Sequence, residues 1–275
     1  MSYYYFSWLI FLAVCVGISY TNLAYLAWQH NNRHDTFLKI PRWQDTALII
    51  TTLSHTLLLL FTLLQPTGSI AFGYAQGLSL AACVGMYLFI IESRFIAIDS
   101  LRPFALSLPA LAVILGEYLP ATFVLPTSIT GVLHVLMGIA AHGVALLAAG
   151  HALLLLGLQT VLKQRQAVSA NWAKRLTRHC PPLIVLERLL IHQSIWTAGL
   201  LLLTIGLGIY NGLLRFEHKT ILSIMSLFVW LAVPYGYQKY AWRGLNLCIA
   251  VWTATGLLLL SYVGSRFILH AVLGR

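Results

Sequence analysis

The chain has 275 residues, 59% of them hydrophobic and only 9% charged, with a mean hydropathy of +0.82. A soluble domain carries roughly 25% charged residues, so this composition excludes an ordinary cytosolic enzyme, a disordered regulator and a secreted disulfide scaffold. The net charge of +10 would suggest nucleic acid in a soluble protein. Here the basic residues gather between apolar runs, so they read as setting orientation in an anionic membrane, with no nucleic-acid partner.

A bilayer core takes about 20 apolar residues per helix. In chain order the apolar runs predict eight spans, at about 4–28, 44–65, 70–92, 103–119, 130–160, 187–212, 219–238 and 245–270. The first is too long and aromatic for a cleaved leader, and no basic stretch precedes it, so it reads as a retained helix. Pro103, Pro109 and Pro120 bracket or interrupt the fourth, which a membrane helix tolerates where neighbours satisfy the freed carbonyl. Residues 1–275 thus read as a single membrane domain, an all-α polytopic bundle surrounded by lipid.

The loops sort by charge. Arg33, Lys39 and Arg42 follow the first span, and Arg94 and Arg102 the third. Lys163, Arg165, Lys174, Arg175, Arg178 and Arg188 surround the loop after the fifth, and Lys239 and Arg243 follow the seventh. The other side holds only Arg215, Lys219, Arg266 and Arg275. The positive-inside rule then predicts both termini outside. It makes 161–186 a basic cytoplasmic loop, in which Asn171 to His179 (NWAKRLTRH) is either a solvated linker or a surface helix. Pro181 and Pro182 end any helix there, and Glu187 is read as complementing the dipole of the next span.

Ten histidines are unusual in such a chain, because an ionisable group within a membrane is costly. His134 opens the fifth span and His270 closes the eighth, both in the outer layer. His55 falls near the middle of the second span, and His192 lies toward the inner end of the sixth. Two layers, each with histidines from separate helices, match what a bis-histidine haem requires: two neutral imidazoles on opposite sides of one iron. The bland counterpart is a histidine that hydrogen-bonds a neighbouring helix. His142 and His151, on the same span as His134, read as packing residues. His30 and His34 with Asp35 (HNNRHD) have helical metal spacing but no third ligand set. Arg266 precedes His270 by four residues and shares its helix face, as a snorkelling anchor or a fork for a haem propionate. The four cysteines are scattered, with no CxxC; three lie in apolar runs and read as buried inert thiols, and neither a zinc site nor a disulfide framework is supported. No Ser/His/Asp set, HExxH or phosphate loop is present, so the chain does not read as an enzyme.

Several stretches carry a family likeness: LHVLMG around His134, PPLIVLERLLIH ending at His192, HKTILSIMSLFVWL from His218, WRG at Trp242–Gly244 and YVGSR at Tyr262–Arg266. In these the chain resembles the cytochrome c assembly protein family, in its smaller CcsA/HemX/YpjD-like branch. The resemblance implies a bacterial inner-membrane protein that handles haem, with cytochrome-assembly or other membrane proteins as partners. His134 and His270 match the family's two outer histidines, and His55 and His192 match positions deeper in the membrane. In haem-delivering members the outer histidines flank a tryptophan-rich loop ending in Asp. Here the corresponding connection is NGLLRFEH, Asn211–His218, without tryptophan. The rival reading is a non-haem accessory subunit linked to transport or ion homeostasis. Against it, Glu92, Glu117 and Glu187 all lie near span ends, so no acidic relay is apparent at mid-depth.

Overall fold

The computed structural model describes residues 3–32, 40–64, 70–119, 121, 123–124, 128–163, 177, 180–212 and 218–264. Helices α1 (Tyr3–Asn32), α2 (Arg42–Leu63), α3 (Tyr74–Glu92), α4 (Arg102–Tyr118), α5 (Ile129–Lys163), α6 (Leu183–Tyr210), α7 (His218–Lys239) and α8 (Leu245–Leu259) follow one another along the chain. Helix α8 runs on through a π-helical turn, Leu260–Gly264. Among the described residues eight helical segments are long and apolar enough to cross a membrane.

Helix α5 is central, packing against α3, α6 and α8, while α1 lies along α4 and α2 bridges α1 and α3. Small residues set the closest approaches, as in membrane bundles generally. At the α3–α5 crossing a Cβ on Gly143 would stand 2.9 Å from Val84 Cγ1 and 3.0 Å from the Ala81 carbonyl oxygen. The main core runs through Leu9, Tyr20, Phe89, Leu154, Leu190, Trp230 and Val251, and Phe72, Ala81 and Ile139 form a second, smaller cluster. The outer surface of the spans is apolar too: Phe11, Leu57, Leu60, Trp196, Leu203 and Phe228 are exposed. That polarity is what lipid contact requires.

The third helix begins later than its apolar run. Ala71–Phe72 (β1) is extended and pairs antiparallel with Phe123–Val124 (β2), Ala71 opposite Val124. This short hairpin ties the α2–α3 connection to the α4–α5 connection. Pro103 sits in the first turn of α4, where a missing N–H costs nothing, and Pro109 lies within the helix. Of the loop 161–186, α5 takes the first residues and α6 the last. The proposed surface helix at 171–179 lies, apart from Thr177, outside the described residues.

Residues of the basic end are stitched together. Arg102 is paired with Asp45 of α2 and bonds Asp99 at 3.1 Å, while the Asn31 amide donates to the Ser100 carbonyl at 3.3 Å. Glu187 is not in the first turn of its helix and does more than complement a dipole. It is buried, accepts from Arg243 Nη1 at 2.9 Å, and accepts the Gly244 N–H at 3.1 Å. Gly244 has φ +51°, in the left-handed region that glycine enters without strain. The Arg243 guanidinium also lies 3.6 Å from the centre of the Tyr237 ring. Trp242 donates its backbone N–H to the Gly236 carbonyl at 3.1 Å and packs its ring where Gly236 has no side chain. The WRG stretch is therefore a clasp that fastens the α7–α8 turn to α6.

Candidate functional site

The three histidines of α5 reach three different neighbours. His134, half-buried in the first turns, has Nδ1 2.8 Å from the Thr204 carbonyl oxygen of α6. One turn earlier Thr130 donates to the Asn211 side-chain oxygen at 2.6 Å, so the α5–α6 seam is hydrogen-bonded twice near this end. A carbonyl oxygen only accepts, so Nδ1 carries the hydrogen. In the neutral ring Nε2 then holds the lone pair.

His142, farther along, has Nδ1 2.7 Å from the Gly138 carbonyl and Nε2 3.2 Å from the Leu258 carbonyl of α8. Its ring meets that of Tyr262, in the π-helical turn, at 5.9 Å, edge on. Tyr262 in turn donates to the Gly73 carbonyl at 3.3 Å and lies over Gly77. The imidazole thus joins α5 to α8, and its neighbour joins α8 to α3.

His151 is fully buried and meets two polar side chains. Its Nδ1 lies 3.2 Å from Oε1 and 3.1 Å from Nε2 of Gln193 on α6. Gln193 Nε2 donates to Glu92 Oε1 at 2.9 Å, and Glu92 Oε2 stands 3.5 Å from His151 Nε2. Sequence reasoning missed this cluster. Glu92 and His151 lie 59 positions apart on separate helices, and only the α3–α5 crossing brings them together. The available signal was an acid at one span end and a histidine in a neighbouring span's inner half.

His55 is fully buried within α1–α3. Its Nε2 is 2.8 Å from Ser79 Oγ and its Nδ1 3.4 Å from Tyr20 Oη, with Tyr20 donating on to Thr52 at 3.3 Å. His192 is exposed on the face of α6 that also exposes Ile195 and Trp196. The structure does not bring His55 and His192 together: one ring is enclosed, the other faces away from the bundle. His270 and Arg266 lie outside the described residues, as do His34 and Asp35. An apolar cavity of about 90 Å³ between α3, α4 and α5 is lined by residues such as Met86, Phe89, Leu108 and Leu147; no histidine is among its lining residues.

No family model matches the chain, and no solved structure matches it. Over 174 residues it is 27% identical to the inner membrane protein YpjD of Escherichia coli K12, and equally to the YpjD proteins of the O6:H1 and O157:H7 strains. The match covers 61% of this chain and 64% of the relatives' length. With eight helices among the described residues long and apolar enough to cross a membrane and this likeness, the chain is a multi-pass protein of the inner membrane.

Proposed function

We propose that the protein handles haem in the manner of the cytochrome c assembly type, lying in the inner membrane with both termini outside and holding the group by His134. The observation that supports this is the direction of the hydrogen bond at His134: Nδ1 is spent on the Thr204 carbonyl, 2.8 Å away. In the neutral ring Nε2 is thereby fixed as the lone-pair nitrogen. Metal-ligating imidazoles are held in this way by a backbone carbonyl behind them, which sets both ring angle and basicity. His55, with both nitrogens engaged, would have to release Ser79 before ligating anything.

When bound, haem would supply an iron that takes imidazole nitrogen as a ligand and changes oxidation state. The chain's part is binding and orientation rather than turnover. His134 would hold the iron through Nε2, and the hydrogen bonds of the α5–α6 seam, to the Thr204 carbonyl and from Thr130 to Asn211, would keep its ring from turning. His270 is the proposed second ligand and Arg266 the partner of a propionate, both on the strength of the family resemblance.

The test is the pyridine haemochrome spectrum of full-length protein purified in detergent after expression with ample haem. An iron-porphyrin band is expected, weakened or shifted in His134→Ala and in His270→Ala. No band in the parent protein, or unchanged spectra in both variants, defeats the proposal. A second reading, a non-haem subunit linked to transport or ion homeostasis, is favoured by the acid–imidazole contact of Glu92 and His151. A metal-dependent growth phenotype in a strain lacking the protein, with no haem in the purified chain, would support it.

A further inference from the structure

At the basic end of the bundle, α3, α5 and α6 bury three polar side chains that the haem proposal does not use. His151 is fully buried and Gln193 is 4% exposed, while the Glu92 side chain is 21% exposed and gives the group its opening toward the basic loops. Both His151 Nε2 and Glu92 Oε2 are shut off from solvent without a hydrogen-bond partner, and they face each other at 3.5 Å. An unpaired polar atom in such a setting is costly, so two of them aimed at one another call for something between them.

The hydrogen-bond directions say what it is. Gln193 gives an amide hydrogen to Glu92 Oε1. Its amide also lies with oxygen and nitrogen both near His151 Nδ1, at 3.2 and 3.1 Å. With the oxygen turned to the ring, Nδ1 donates, and His151 Nε2 presents a lone pair to a carboxylate oxygen. Those two atoms then repel unless one further proton lies between them, as carboxylic acid and imidazole or as carboxylate and imidazolium. With the nitrogen turned to the ring, Nδ1 accepts, Nε2 carries the hydrogen, and no further proton is needed. The two arrangements differ by one proton and a small turn of the Gln193 amide.

We infer that Glu92, His151 and Gln193 form a proton-binding site that takes up one proton from the basic side and holds it between the Glu92 carboxyl and the His151 imidazole. The new bond is O–H on Glu92 or N–H on His151, and nothing is oxidised or reduced. Of the other titratable groups on the three helices, His142 is held by the Gly138 and Leu258 carbonyls and Cys83 and Tyr87 by Thr56, while Lys163 and Arg188 are exposed. Asp99 and Asp45 are held by Arg102, Glu187 by Arg243 and the Gly244 N–H, and His55 by Ser79 and Tyr20. The Cys248 thiol of α8 donates to the Ala152 carbonyl at 3.2 Å, and Arg94 and His192 are exposed.

The experiment is infrared difference spectroscopy of the full-length protein in lipid nanodiscs, titrated from about pH 4 to 9, the range in which carboxyl and imidazole groups exchange protons. The chain has only seven acidic side chains, so single carboxyl signals are resolvable. A deuterium-sensitive carboxyl signal that titrates, vanishes in Glu92→Gln, and moves its midpoint by about one pH unit or more in His151→Gln is expected, because coupled sites titrate as a pair. Retained helical circular dichroism confirms that each variant is folded. Should Glu92→Gln fail to fold, Gln193→Leu, which removes the amide from both partners, is expected to move the same midpoint. A Glu92 signal that never titrates, that titrates identically with His151 replaced, or that follows sodium and not pH overturns the inference.

Discussion

Glu187 shows how one side chain fixes a turn. Its partner Arg243 is about half exposed, and such an ion pair contributes little in water. The Gly244 N–H, by contrast, is buried and has Glu187 as acceptor. Glu187→Ala is therefore expected to destabilise the protein by about 1–3 kcal/mol, seen as a lower thermal midpoint in detergent, whereas Glu187→Gln keeps an acceptor for that N–H and most of the stability. Cys180, in the loop before α6, makes a second prediction. Burial pushes its thiol up to about 12, so at pH 8 the reactive thiolate is scarcer by roughly a thousandfold than for an ordinary cysteine. Alkylation of Cys180 at pH 8 should be slow in the folded protein and become fast on denaturation. The sequence disclosed that imidazoles and acids lay within the spans. It could not disclose their partners, since the Thr204 carbonyl behind His134 and the Glu92 carboxyl before His151 are reached only across packed helices.

Helices were the most legible level. Runs of about 20 apolar residues have few fates other than crossing a bilayer, and every predicted span corresponds to a helix. The edges were less legible. Residues 70–73 are as apolar as the helix after them, yet Ala71–Phe72 is drawn into a strand by pairing with Phe123–Val124, a contact that hydropathy cannot reveal. Close packing was equally hidden, because a glycine between helices and one facing lipid look alike in sequence. Gly143→Val must push Val84 and the Ala81 carbonyl away and is expected to cost about 1–3 kcal/mol. Gly199, with nothing within 4 Å of an added Cβ, should accept alanine within about 0.5 kcal/mol. Thermal midpoints of the two variants side by side check both expectations.

For the molecule as a whole, the charge pattern makes the remaining prediction. If the loops rich in lysine and arginine lie inside, a cysteine placed at Ala170 should react with a membrane-impermeant thiol reagent only in opened vesicles or broken cells. A cysteine at Gly212 should react in intact spheroplasts. The opposite pattern would invert the bundle and move His134 to the inner face. Three imidazoles on one helix, two bonded to α6 and one to α8, also make α5 the member on which both candidate sites depend.

Unequal helix length has a consequence for the surrounding lipid. Helix α5, with 35 residues, is about 52 Å long, whereas α4, with 17, is about 26 Å at 1.5 Å per residue. A hydrocarbon layer of about 30 Å cannot match both. With the turn before it, the fourth crossing segment, Asp99–Tyr118, has 20 residues and meets that layer, while α5 must lean or project into the headgroups, so the protein imposes a lopsided annulus. Local membrane thickness then bears unequally on the two sides of the bundle, and mismatch becomes a force on the α3–α5 crossing itself.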